Sequence, residues 1–229
     1  MSGGSRVALA LLALLLLACA VICLRIALAA SLATPAQTTL VRAEGGHLTD
    51  SMALATAALA VENARTWWGT AELEEMGSRI ALRQAATSKL PGERRSAMDK
   101  ARESALRATE LRPTWPYAAA QLATVLHEDQ DHGALFVRAA ADAMRFGPNE
   151  MRVRRMLAQL WLDDGARSSA AAETLAAAFD AQLRTDPAQW IDRADRASVA
   201  PEACNRAQAI AAARERCITL GWERGTGMR

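Results

Sequence analysis

The chain has 229 residues, with 27 Lys+Arg against 25 Asp+Glu and a net charge of +2, a balance that leaves no nucleic-acid footprint. Its length holds one domain of ordinary size plus an anchor. Outside the N-terminal apolar run, β-branched and aromatic residues never alternate with polar ones over a strand's length, which excludes a β-sheet protein. Alanine and arginine dominate, Lys89 and Lys100 being the only lysines, and both residue types favour helix. An all-α fold is expected.

Met1 to Arg6 is short, small and positively charged. Val7 to Leu24 is an unbroken apolar run of 18 residues that resumes after Arg25 as Ile26 to Ala33. A helix needs about 20 such residues to cross a hydrocarbon core of about 30 Å. Residues 1–33 are therefore expected to form a membrane anchor, meeting the bilayer through residues 7–33. A cleaved signal peptide ending at Ala27-Leu28-Ala29 and a lipoprotein modified at Cys19 are the alternatives. The apolar core exceeds the roughly 7 to 15 residues of a signal peptide, and apolar residues continue well past Cys19, so the uncleaved anchor explains more. Cys19 and Cys23 are expected to behave as small buried hydrophobes. Arg6 and the amino terminus favour a cytoplasmic N-terminus, although Arg25 and Arg42 weaken the asymmetry. Arg25 can snorkel to the interface from near the helix end.

Residues 34–48 carry Pro35, Gln37-Thr38-Thr39 and Gly45-Gly46 and read as a linker. A helical domain is expected over residues 49–221, with a C-terminal tail at 222–229. Thr49 or Asp50 can cap its first helix, with Met52, Ala55, Leu59 and Ala60 on one face. Trp67-Trp68 at its end are expected to pack under the next helix rather than to form an exposed binding platform. Thr70 opens the second helix, with Glu72, Glu74 and Glu75 favourably placed against its macrodipole. Its apolar face is Leu73, Met76, Ile80 and Ala81. The Leu90-Pro91-Gly92 break precedes a helix over Glu93 to Leu111, with Leu106 and Leu111 expected to widen its apolar side.

Within that helix Ala101, Ala105, Ala108 and Pro113 stand at offsets 0, 4, 7 and 12, and Phe136, Ala140, Ala143 and Pro148 repeat the spacing after 35 residues. Alanines at i, i+4 and i+7 make a smooth stripe against which another helix can lie closely, and proline ends the helix. Pro116 suits the first turn of a new helix through Leu122, Ala123 and Leu126, broken over His127 to His132. Ala134 to Phe146 returns, and Gly147-Pro148-Asn149 closes the unit. A further unit starts at Met151, with Leu157, Ala158 and Trp161 at matching positions. Its return helix, Ser168 to Leu183, is irregular: Leu175 and Phe179 keep the pattern, but Gln182 replaces the alanine. Pro201 to Gly221 is expected as one last capping helix, with Ala203, Ala207, Ile210, Ala211 and Cys217 or Ile218 on one side.

His127-Glu128-Asp129-Gln130-Asp131-His132 is the place to look for a metal. Asp131 stands where H-E-x-x-H needs histidine, so a solvated turn is expected and no metal ligand is assigned. Glu74-Glu75 and Asp163-Asp164 are expected to serve capping and solvation at helix ends, and the Arg94-Arg95 and Arg152-Arg154-Arg155 clusters to be solvated faces. No catalytic constellation and no cofactor is expected. Cys204 and Cys217, the cysteines of the polar part, are expected to pair in an oxidising compartment. That pairing favours an extracytoplasmic C-terminal portion.

The 35-residue period and its alanine and proline positions resemble the tetratricopeptide unit. With the anchor, Leu111-Arg112-Pro113-Thr114-Trp115-Pro116-Tyr117 and Leu122-Ala123, the segment Ala101 to Trp161 resembles the VpsP family of bacterial exopolysaccharide biosynthesis clusters. The resemblance implies a short tetratricopeptide-like array and a non-enzymatic accessory role in polysaccharide assembly or export at the inner membrane; the cysteine pair would then place the C-terminal domain in the periplasm. Protein partners in the cell envelope would be bound. The alternatives are an assembly factor for a pilus or secretion system and, less in keeping with the residues, a polysaccharide-modifying enzyme. Such arrays expose a concave face built from the first helix of each unit. Tyr117, Gln121, Arg154 and Gln159 are the candidates to line it. The chain departs from the regular unit in lacking its first signature tryptophan and its glycine.

Overall fold

The structure, a computed structural model, describes residues 3–44, 50–163 and 167–222. Among these residues eleven α-helices and one 3-10 turn form, and there is no strand. The all-α expectation holds because nearly every segment combines strong helix formers with an apolar stripe. The chain divides into two compact units, Met1–Ser104 and Ala105–Arg229.

The first unit is built from α1 (Gly3–Glu44), α2 (Ser51–Trp67), α3 (Ala71–Thr87) and the start of α4 (Pro91–Leu111). α1 is long and apolar enough to cross a membrane. It does not end at residue 33. The expected linker is helical as far as Glu44, with Pro35 inside the helix, while its remainder, 45–48, lies outside the described residues. Proline removes one backbone donor, at a cost of about 3 kcal/mol in a helix interior. Burial offsets that cost: Ala29, Ala33, Ala36 and Leu40 form a buried stripe straddling the proline. Ala29 and Ala33 pack with Ala64 and Leu73, and Ala36 and Leu40 with Ala57, Val61 and Ile80, so α1 and α2 run antiparallel. Alanine at these positions lets the two backbones approach closely.

Asp50 caps α2, accepting from the Ala53 amide at 2.6 Å, and Thr70 caps α3 through Leu73 at 3.2 Å; Thr49 lies outside the described residues. Glu74 and Glu75 are not solvated end charges: they are 2% and 5% exposed. Arg65 of α2 reaches Glu74 at 2.6 Å and the Ser104 hydroxyl at 3.1 Å, while Arg79 lies 3.7 Å from Glu75. Gly77 leaves the space that the Arg65 guanidinium occupies, since a Cβ there would strike it. Trp67 and Trp68 are exposed, and so are Cys19 and Cys23. The indoles lie beyond the end of α2's buried stripe and are not buried as expected, and the thiols lie on a part of α1 that none of the other described residues covers.

The second unit takes up the rest of α4 and continues as α5 (Pro116–Glu128), α6 (Ala134–Phe146), α7 (Met151–Trp161), α8 (Ala172–Thr185), α9 (Pro187–Arg196), α10 (Ala200–Arg206) and α11 (Ala211–Thr219). α5 and α6 form a hairpin, α7 packs on α5 and on α8, and α6 also meets α8. Ala101, Ala105 and Ala108, then Phe136, Ala140 and Ala143, then Leu175, Phe179 and Gln182 are buried, whereas Leu106 is half-buried and Leu111 exposed, so the apolar side of α4 is narrower than expected. Gly147 lets the α6–α7 connection press on the start of α5, where a Cβ would stand 2.6 Å from Pro116 Cβ.

Two expectations fail at the far end. The return helix starts at Ala172 instead of Ser168. The single helix over Pro201 to Gly221 is instead α10, a 3-10 turn at Ala207–Ala209 and α11, broken at Ile210, whose backbone is extended. A disulfide joins Cys204 to Cys217 across that break, with 5.9 Å between their Cα atoms. All but Trp222 of the expected tail lies outside the described residues.

Candidate functional site

The candidate partner residues do not share one environment. Tyr117, at the start of α5, donates its hydroxyl to Glu150 at 2.6 Å. The Arg152 guanidinium lies 5.3 Å from its ring centroid, and the Trp115 ring lies 5.7 Å away. Arg112 stands 5.3 Å from Trp115, which completes a row in which two aromatic rings lie between two arginines. Arg152 occupies the position on α7 that Tyr117 holds on α5, one 35-residue period earlier. Repetition places the two side by side.

Arg154 donates to the Asn149 carbonyl at 3.4 Å, and Gln159 accepts from Arg193 of α9 at 3.2 Å. Gln121 is 2% exposed. It belongs to the interior of α5, whose apolar stripe is wide because the helix is covered by both α6 and α7, and it does not line a solvent-facing surface.

A cavity of about 420 Å³ opens beside α7, α8 and α10, lined by Trp161, Arg167, Glu173, Asp180, Glu202 and Arg206 among others. Arg206 grips Asp180 with two hydrogen bonds of 2.8 and 2.7 Å, and that bonding to the carboxylate raises the guanidinium's pKa above its ordinary value. Arg167 pairs with Glu202 at 3.1 Å. Both guanidinium groups lie over the Trp161 ring, at 5.5 and 5.9 Å. Trp161 in turn stacks on Phe179 with centroids 4.0 Å apart, and Phe179 meets Trp190 edge-on at 5.9 Å. The cavity wall is thus a cross-linked set of ion pairs on an aromatic floor, which suits binding and bracing more than proton transfer.

Sequence reasoning placed Trp161 and Phe179 in the repeat but missed α9 and with it Trp190. The signal was present. Asp186 accepts from the Gln189 amide at 3.2 Å as the cap, Pro187 follows in the first turn, and Trp190, Ile191 and Ala194 keep helical spacing.

The His127 to His132 segment also departs from a solvated turn. α5 continues through Glu128, and His127 is 7% exposed. Its Nδ1 lies 2.9 Å from His132 Nε2 and its Nε2 lies 3.6 Å from Asp163 Oδ2. Burial lowers the His127 pKa, partly opposed by the nearby Asp163 and Glu128 carboxylates. Gln130 takes a left-handed backbone, φ 59°, to turn the chain there. Asp164, the second half of the Asp163-Asp164 pair, lies outside the described residues.

No family model, curated protein or solved structure matches the chain.

Proposed function

We propose that the chain is a non-enzymatic helical scaffold held to a bilayer by a single pass of α1, presenting the surface around Tyr117 to protein partners of the cell envelope. The observation that carries this reading is the N-terminal part of α1. From Ala10 to Ala27 its residues are exposed on every side, and this stretch includes Leu11, Leu12, Leu14 to Leu17, Val21, Ile22, Leu24 and Ile26. An apolar cylinder of that kind is stable only in lipid or under another protein. Eighteen residues rise about 27 Å, close to the thickness of a hydrocarbon core.

The partner surface is supported by its composition. Tyr117, Arg152, Trp115 and Arg112 are of the residue types that anchor interfaces, rigid aromatics and arginines, and they are set on hairpins whose alanine stripes are buried. The tetratricopeptide-like character rests on the 35-residue spacing. The assignment to exopolysaccharide assembly or export, with the C-terminal portion periplasmic, rests on the likeness of Ala101 to Trp161 to the VpsP family and on the Cys204–Cys217 disulfide.

A photo-crosslinking amino acid at position 117, 154 or 159 in intact membranes should yield adducts with envelope proteins, while the same group at buried position 121 should yield none. Adducts from position 121 alone, or none from any position, would remove the binding surface. Extraction of the chain by alkaline carbonate would remove the anchor.

A further inference from the structure

We propose that the corner between α2 and α3, centred on Trp67 and Trp68, rests on the bilayer interface, so that the first unit meets the membrane through this corner as well as through α1. This rests on the reading of α1 as a membrane-spanning helix. The occupant is the headgroup and glycerol layer of a lipid bilayer.

The height of the corner follows from one contact. Arg25 Nε donates to the Trp67 carbonyl at 2.9 Å, which puts the end of α2 level with Arg25. That arginine is three residues before Leu28, where α1 ceases to be exposed on all sides, Leu28 being half-buried and Ala29 buried. An arginine near the end of a spanning helix sits where its guanidinium reaches the headgroups. The corner is therefore at the interface once the cylinder below it is in hydrocarbon.

Its position is fixed. α1 continues as one helix from the exposed cylinder into the packed stripe, and Ala29 and Ala33 hold Ala64 and Leu73, which flank the corner on α2 and α3. No linker separates the span from the folded unit, so the corner cannot lift away without breaking that packing.

The exposed chemistry is that of the interface. Trp67 and Trp68 are 42% and 37% exposed, and indoles concentrate at headgroup depth because the ring is apolar and its N–H is polar. Around them Asn63, Thr66 and Glu72 are exposed as well. Those polar groups fit the wet headgroup zone and exclude deeper insertion.

The test uses the full chain in nanodiscs of phosphatidylcholine and phosphatidylglycerol whose acyl chains are brominated near the glycerol. Bromine quenches indoles only at short range. Trp67 and Trp68 are two of the chain's six tryptophans, so emission should fall by about a third on bromination if these two lie at the interface. Trp67→Phe/Trp68→Phe should lose that quenching while still entering the discs, and each single Phe variant should lose part of it. Equal quenching in the wild type and the double variant, or no quenching in the wild type, would overturn the docked corner and leave the anchor standing. Failure of the wild type to enter discs would overturn both.

Discussion

In the first unit the contact between α1 and α2 is made by Ala29, Ala33, Ala36, Ala57 and Ala64, with Leu40 and Val61 adding the larger area, and the buried polar contact is Arg65 with Glu74. In the second, alanine stripes of the same kind are joined by Trp161, Phe179 and Trp190 in mutual ring contact and by the Cys204–Cys217 disulfide. Alanine stripes bring helices close but bury little area each, at about 0.8 kcal/mol per methylene. Each unit needs something more to define one packing. The first uses the ion pair between Arg65 of α2 and the buried Glu74 of α3; the second uses large rings and a covalent bond.

The comparison breaks most visibly at the rings. Trp161→Ala should destabilise the second unit by about 4 kcal/mol, through the cavity left beside Phe179 and the lost support for Arg167 and Arg206. Chemical denaturation monitored by circular dichroism measures it, and a loss below about 1 kcal/mol would show that the stack is not what closes the unit.

The matching change in the first unit is Arg65→Ala, which leaves Glu74 buried without the cation it faces. A loss of about 3 kcal/mol is expected. The sharper variant is Arg65→Met with Glu74→Leu, which removes both charges and should recover most of the stability while loosening the register of α2 on α3. If the single and double changes cost the same, packing rather than charge accounts for the site.

Gly147→Ala tests how tightly the hairpins of the second unit are stacked. The added methyl would meet Pro116, and a cost of about 2 kcal/mol is expected from overpacking. A neutral outcome would mean that the junction relaxes and that the repeat spacing does not depend on glycine there.

What the sequence disclosed follows from the same contrast. Residues repeating at helical spacing were legible in α4 and α6, where Ala101, Ala105 and Ala108 and their counterparts Phe136, Ala140 and Ala143 are buried as expected; on α2 the expected face misled, since Met52, Ala55 and Leu59 are exposed and Leu54, Ala57, Val61 and Ala64 are buried instead. Pro35 misled because its local cost is visible in the sequence while the packing of Ala36 and Leu40 that offsets it is not. Glu74 and Glu75 misled for the same reason, their partners Arg65 and Arg79 being visible only once α2 and α3 are set side by side. Of the candidate surface, the arginine and aromatic row beside Tyr117 was half legible: Tyr117 was chosen, whereas Arg152 was assigned to a solvated cluster and Gln121 was chosen on a helix whose covered arc proved wider than one stripe. Trp190 was missed because α9 follows its neighbour after only Asp186, which is the cap of one helix and the end of the other.

The smallest expected effect concerns His127, a polar group that the second unit buries without a guanidinium partner of the kind Arg65 gives Glu74. The unfolded histidine takes up a proton near pH 6.5, and the folded one resists until a lower pH because its charged form is desolvated. Between those two points the unfolded chain binds more protons, so stability must fall as the pH is lowered through this window and be fully present above it. His132, Asp163 and Glu128 face the ring, and water near the exposed Asp163 screens their fields, which keeps the effect under about 1 kcal/mol. His127→Leu should remove this part of the acid slope, read as the difference between wild-type and variant denaturation midpoints from pH 7.5 down to 5. A difference that stays constant over that range would mean that the histidine keeps its ordinary affinity for protons in the fold.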